Sequence, residues 1–175
     1  MADTVSSLLA PWSAFYAMLG GSAAALTGLM FVVITLVTRR DRTEDVHDGI
    51  AVFSTPTVAH FAGALLISAV FLAPWRSLVD VGIAAAAVGV YGVVRILLAM
   101  RRTRRLTMYT ADLEDWTWFT ILPLVAYGAV AAGAAVLAED PVPALFILAG
   151  GVVLLMFIGI RNAWDVVTYI ALDRP

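Results

Sequence analysis

The chain has 175 residues, of which 62% are hydrophobic and 14% charged, and it carries a net charge of −2. Soluble domains average about 45–50% apolar and about 25% charged residues, so these values exclude a soluble globular fold and intrinsic disorder alike. The sequence is that of an integral membrane protein, and its balanced charge leaves no global field for binding nucleic acid.

Five apolar runs follow one another, and each is long enough to cross about 30 Å of hydrocarbon as a helix. The pattern predicts a single membrane domain over 1–175 with helices over 12–38, 49–75, 78–100, 116–138 and 144–172. Helices are expected because backbone polar groups in lipid must satisfy one another, and the runs lack the short alternation of a barrel. The first run, closed by Arg39, Arg40 and Arg42, reads as a retained helix. No basic residue precedes it, and it is too long for the apolar region of a signal peptide. The second run carries Pro56 in its first turns, where it is expected to bend the helix and free a carbonyl. The third run begins beside Asp80, which reads as a solvated end or a surface partner of Arg76, and is closed by Arg101, Arg102, Arg104 and Arg105. The fourth follows a short interfacial entry over 110–115, with Thr110 as its N-cap. Asp112, Glu114 and Asp115 on that entry read as a solvated helix start. Glu139, Asp140 and Pro141 close the fourth run, and the fifth ends near Leu172. Trp12, Trp75, Trp116, Trp118 and Trp164 fall near predicted ends, as in an aromatic belt.

Orientation follows from the arginines. Three follow the first helix and four follow the third, whereas the loop after the second holds only Arg76 and the loop after the fourth holds none. The positive-inside rule places the two Arg-rich loops in the cytoplasm, the N-terminus outside and the C-terminus, with Arg174, inside. The same arginines Arg101, Arg102, Arg104 and Arg105 are expected either to meet anionic lipid headgroups or to act as a topology signal alone. All eleven basic residues are Arg. A chain rich in Ala, Val, Gly and Arg without Lys fits GC-rich coding, hence a bacterial source and a multi-pass place in the cytoplasmic (inner) membrane.

Small residues recur at helical spacing. Gly21, Ala25 and Gly28 form a stripe on the first helix, and Gly82, Ala85, Gly89 and Gly92 form another on the third. Gly128, Ala132 and Ala135 repeat the spacing on the fourth. Such stripes let helix backbones approach closely, either within the chain, between subunits or along a pore.

Polar residues inside the runs are few. Ser54, Thr57, His60 and Ser68 fall within about 120° of one another on the second helix. They read either as groups satisfied by the protein or as a water-accessible pathway, with His60 a proton-sensitive gate. Arg95 lies near the cytoplasmic end of the third helix, where its stem can reach the headgroups. Arg161, Asn162 and Asp165 lie on the fifth, with Arg161 and Asp165 four apart and so on one face. An inner-leaflet polar layer of Arg95, Arg161, Asn162 and Asp165 is expected, with Ser54 and Thr57 at similar depth and Asp165 shared by both arginines. Paired intramembrane charges of this kind lock helices together.

The chain has no Cys and two His, which leaves no thiolate chemistry and makes a one-subunit metal site unexpected. No phosphate loop, nucleophile elbow or midplane acidic dyad occurs, so neither cofactor nor catalytic residue is expected.

Two stretches carry a resemblance. One is Gly20-Gly21-Ser22-Ala23-Ala24-Ala25-Leu26-Thr27-Gly28-Leu29-Met30-Phe31-Val32, and the other is Ile160-Arg161-Asn162-Ala163-Trp164-Asp165. They resemble a family of small bacterial multi-span proteins labelled "modulator of FtsH protease". The likeness covers both ends of the chain and, loosely, its helix pattern. It implies a regulatory partner of a membrane protease and brings no site residues with it.

The expected protein is therefore an all-α polytopic bundle of five helices in contact with membrane lipid. Its expected function is that of a non-enzymatic scaffold or regulatory partner, assembling as a homo-oligomer or with a membrane-protein partner through small-residue faces. The alternative is a small homo-oligomeric ion channel, with Ser54, Thr57 and His60 near a pore on the symmetry axis.

Overall fold

Prolines set several of the helix ends. A computed structural model describes residues 2–40, 44–103 and 116–172, with side chains over 5–35, 57–101, 116–165 and 167–168. Helix α1, Ala2–Leu9, buries Val5 and Leu9 one turn apart and leaves Ser6 and Ser7 exposed. A single 3₁₀ turn, Ala10–Trp12, carries Pro11 where a missing N–H costs little, and leads into α2, Ser13–Arg40. Ser13 Oγ donates to the Ala10 carbonyl at 2.7 Å across that junction. Helices α3, Glu44–Leu72, and α4, Leu78–Thr103, follow. A π turn, Thr117–Ile121, then opens α5, Leu122–Val136, and α6 runs Pro141–Leu172. No strand occurs among the described residues.

Four of these helical stretches, Val5–Thr35, Leu78–Arg101, Thr117–Val136 and Pro141–Asp165, are long and apolar enough to cross a bilayer. Within α3, Thr57–Leu72 forms a shorter apolar stretch. Large apolar side chains face outward along the bundle, among them Met18, Leu29, Ile83, Phe146 and Phe157, each more than half exposed. Lipid is the solvent in which such a surface is stable. The architecture is that of a membrane-embedded multi-pass protein.

The helix ends differ from the sequence reading where proline or the turn chemistry decides. The second helix stops at Leu72 rather than Trp75 because Pro74 has no N–H and disfavours helical geometry in the residue before it. The chain closes there with Ala73 N–H on the Ala69 carbonyl at 3.1 Å and Trp75 Nε1 on the Val70 carbonyl at 2.5 Å. Pro56, by contrast, lies inside a helix that continues unbroken. The fifth helix starts at Pro141 rather than 144, since proline's fixed φ suits a first helical position. Its first bond runs from the Ala144 N–H to the Asp140 carbonyl, which puts Asp140 at the N-cap position that aspartate favours. The expected fourth helix divides into the π turn and α5, and ends in a turn over residues 137–139. The expected N-cap at Thr110 and the acidic group Asp112, Glu114 and Asp115 lie outside the described residues.

Packing directions can be read from paired residues. Tyr16 stacks on Phe71, with ring centroids 4.4 Å apart, and a methyl on Gly20 would meet the Ser68 Cβ at 2.9 Å, so α2 and α3 run antiparallel. Trp12 meets Phe146 edge-on at 4.9 Å, the early ends of α2 and α6 together, so these two run parallel. Gly133 faces Ala144 and Leu148, and Gly151 faces Ala126 and Val130, which makes α5 antiparallel to α6. Gly82 lies against Ala134 and Gly92 against Tyr127, which makes α4 antiparallel to α5. The five long helices therefore alternate in direction. α6 is the central one: 56% of its most apolar stretch is buried, against 22% for the span containing α2. Its buried face, Leu148, Val152, Leu155 and Ile158, forms the middle of the core with Phe61, Ile67 and Val130.

Candidate functional site

Apart from Ser68, which lies near the end of α3 beside Gly20, the polar residues gather in the half of the bundle that holds the earlier part of α3, the end of α4 and the end of α6. Thr57, His60 and Ser68 on α3 are all buried, at 0%, 5% and 1% exposure. They therefore face the chain's own interior. The side chain of Ser54 lies outside the described residues.

Tyr127 of α5 is the hub of this region, and the sequence reading did not single it out. Its hydroxyl donates to the Ala59 carbonyl at 3.2 Å, and His60 Nδ1 lies 3.4 Å from the same oxygen. A phenol has one proton, and here that proton goes to Ala59. The Nδ1–H tautomer of His60 is then the one that can donate to the remaining lone pair. Two glycines admit the ring. A methyl on Gly63 of α3 would lie 2.9 Å from the Tyr127 hydroxyl, and one on Gly92 of α4 would lie 2.2 Å from its Cδ1. Three helices thus meet at one aromatic side chain, and its polar tip reaches a fourth group, the His60 imidazole.

Arg95 sits one turn beyond Gly92, with its Cζ 6.0 Å from the centroid of the Tyr91 ring. Its side chain is exposed. On α6, Arg161 and Asp165 form an ion pair one helical turn apart, and the Arg161 Cζ lies 5.3 Å from the Trp118 ring of the π turn. Among the described residues Asp165 pairs with Arg161, and Arg95 lies over an aromatic ring of its own helix. Helical spacing of four residues brings the first pair together, whereas an Arg95–Asp165 pair needs two helices rotated toward each other. Asp165 keeps 43% of its side-chain surface exposed, and such pairs contribute about 1 kcal/mol or less. Asp165→Asn is therefore expected to lower the melting temperature by no more than a few degrees, measured by thermal unfolding in detergent. A large loss would mean that Asp165 holds more than one helix.

Asn162, next to Arg161, is buried at 1% exposure. The expected polar layer thus divides by environment. Thr57, His60 and Asn162 lie inside, and Arg95, Arg161 and Asp165 lie toward the rim.

The two small-residue stripes have opposite fates. Gly82, Ala85, Gly89 and Gly92 are buried, and methyls on Gly82 and Gly89 would meet the backbone of α5 at 2.8 and 2.7 Å. Gly21, Ala25 and Gly28 are exposed, with open space beyond both glycines. On α5, Gly128 also has open space, and Ala132 and Ala135 are exposed. Gly63, Gly133, Gly151 and Gly159, none of which the stripe reading included, face close neighbours instead. Arg101 is exposed at the end of α4, while the side chains of Arg102, Arg104 and Arg105 lie outside the described residues. Among the described residues no three His, Asp or Glu side chains come together as a metal cluster.

Comparison with family models, with curated proteins and with solved structures yields no match.

Proposed function

We propose that this chain is a five-span protein of the bacterial cytoplasmic membrane, N-terminus outside and C-terminus inside, that acts as a non-enzymatic scaffold or regulatory partner. α3 supplies the fifth crossing in this reading: it has 29 residues, and roughly 20 suffice to span the hydrocarbon. The Arg-rich segments after α2 and α4 set the orientation. The observation that carries the functional reading is the exposed stripe Gly21, Ala25 and Gly28 on α2. In lipid, association rests on close backbone packing, and small residues allow it. The stripe supports assembly with a second copy or with a membrane-protein partner. The resemblance to modulators of a membrane protease points the same way. Burial of Thr57, His60 and Ser68 weighs against a pore on an axis between subunits, since those side chains do not reach the outer surface. His60 and Ser68 are also separated by about 12 Å of helix, packed with Phe61, Ala64 and Ile67.

Gly21→Leu and Gly28→Leu test this. The expected result is loss of self-association in bilayers, read by single-molecule photobleaching of labelled protein, with the melting temperature of the chain unchanged or raised, since leucine is the better helix former. A Cβ at either position meets nothing within 4 Å and both positions are exposed, so the fold itself should tolerate the new side chains. A wild type that is monomeric in the bilayer at all surface densities, and that captures no membrane partner through this face, would overturn the reading.

A further inference from the structure

The chain contains one asparagine and no glutamine, so Asn162 is its only carboxamide. That one carboxamide is buried at 1% exposure, and among the described residues neither its Nδ2 nor its Oδ1 has a hydrogen-bonding partner. Removing an amide from water without replacing its hydrogen bonds is among the larger penalties a folded chain can carry. Lipid around the bundle offers no relief. The Nδ2 could turn to a carbonyl of its own helix, but the Oδ1 could not be served in the same way. The N–H groups of a helix interior are already committed to the ladder.

Helix register brings two features to the depth of Asn162. The Phe61 ring lies 2.5 Å from where a methyl on Gly159 would stand, which fixes the register of α3 against α6. Asn162 is three residues beyond Gly159, and Thr57 is four residues before Phe61. The two helices run antiparallel, so these steps carry both residues the same way along the seam, by about 4.5 and 6 Å. Both are fully buried there. On the other side, Arg161 lies over Trp118, which puts the π turn of Thr117–Ile121 level with Asn162. Pro123, just after that turn, takes one N–H donor out of the ladder. π turns of this kind recur where a helix accommodates a bound group.

We propose that Asn162 heads an internal water site at the junction of α3, α6 and the π turn, with the Thr57 hydroxyl as its second protein partner. Water is the ligand whose chemistry fits. It donates to the Oδ1 and accepts from the Nδ2, and buried waters characteristically join groups that the protein leaves unserved. A cation is opposed by the adjacent Arg161 charge, and an anion by Asp165 one turn away. A hydroxyl has one proton and two acceptor lone pairs, so any bond Thr57 makes within its own helix still leaves room for a proton from the water. Ser68 Oγ is likewise buried with no partner among the described residues, but it stands eleven residues, about 16 Å of helix, from Thr57, beside Gly20, and a lone hydroxyl, unlike a carboxamide, can be served by a carbonyl of its own helix.

The sequence makes the test direct. The 175-residue chain labelled with ¹⁵N-asparagine has a single side-chain NH₂ signal and a single backbone N–H signal, both from residue 162. In lipid bilayers, solid-state NMR with magnetisation transferred from water should show the side-chain signal building up well ahead of the backbone one. Thr57→Val should slow that build-up several-fold, and Thr57→Ser should restore it. Side-chain and backbone signals that rise together and late would overturn the proposal, because the carboxamide would then be dry. Fast build-up that Thr57→Val leaves unchanged would overturn the pairing with Thr57. The wild-type measurement decides the water itself whether or not the valine variant folds.

Discussion

Gly89→Ala is expected to lower the stability of the chain, although alanine is the better helix former by about 1 kcal/mol. A methyl at this position would lie 2.7 Å from the Ala131 nitrogen and 3.0 Å from the Ala131 Cα. Those atoms belong to the backbone of α5, so relief requires the two helices to separate, and no side-chain rotation suffices. Overpacking of this kind costs about 1–3 kcal/mol, and Gly89→Leu belongs at or beyond the upper end of that range. The effect should spread, because Gly82 meets the Ala134 carbonyl on the same seam and loses its contact when α4 moves out. Gly21→Ala and Gly28→Ala are the matched controls. They have the same residue, the same spacing and an exposed apolar helix, but open space beyond the Cα. There the propensity term acts alone, and stability should rise by up to about 1 kcal/mol. Thermal unfolding in detergent or steric trapping in bilayers reads both. A drop at Gly89 beside a gain at Gly21 and Gly28 is the expected pattern. Equal effects at the three sites would mean that α4 and α5 do not touch as closely as described.

That contrast also marks how far the sequence can be read. The apolar runs name the helices because hydrocarbon thickness sets a length that no other feature of the chain imitates. Their ends are read well where proline chemistry is simple and poorly where two demands compete. Trp75 looks like part of the second helix by hydropathy, yet Pro74 ends that helix at Leu72 and the indole folds back onto Val70. The small-residue stripes of α2 and α4 are alike in spacing, and nothing local says that one meets α5 while the other meets lipid. That difference depends on which helices neighbour which, a property of the assembled bundle. The polar residues follow the same division. The Arg161–Asp165 pair is legible because both members share one helix at one turn's distance. The hydroxyl that faces His60 belongs to a residue 67 positions away, on a helix whose rotation no local pattern reports. Gly63 and Gly92 gain their meaning only once Tyr127 stands between them. A lone histidine in an apolar run therefore suggests a gate in the sequence, and in the fold it packs beside a tyrosine.

Tyr127→Ala is expected to be the most damaging single truncation in the bundle. The side chain is 5% exposed and occupies the space left by Gly63 and Gly92, which carry no side chain of their own to fill it. Large-to-small changes at such sites cost about 3–5 kcal/mol, through lost burial and through the cavity left behind. Collapse is hindered here because three helices border the ring and each is held by other seams. Tyr127→Phe separates the ring from its hydroxyl. The ring and its fit between the glycines remain, while the Ala59 carbonyl and His60 Nδ1 lose their shared partner. Loss of one buried partner costs about 1–3 kcal/mol, so the phenylalanine variant should fall clearly between wild type and alanine. His60→Ala in the Tyr127→Phe background then isolates the pair. If the two side chains interact, the double variant should be more stable than the sum of the single losses predicts, by about 0.5 kcal/mol or more. Strict additivity in that cycle, read by thermal unfolding, would reduce the 3.4 Å approach to proximity alone and leave the ring's packing as the whole contribution of Tyr127.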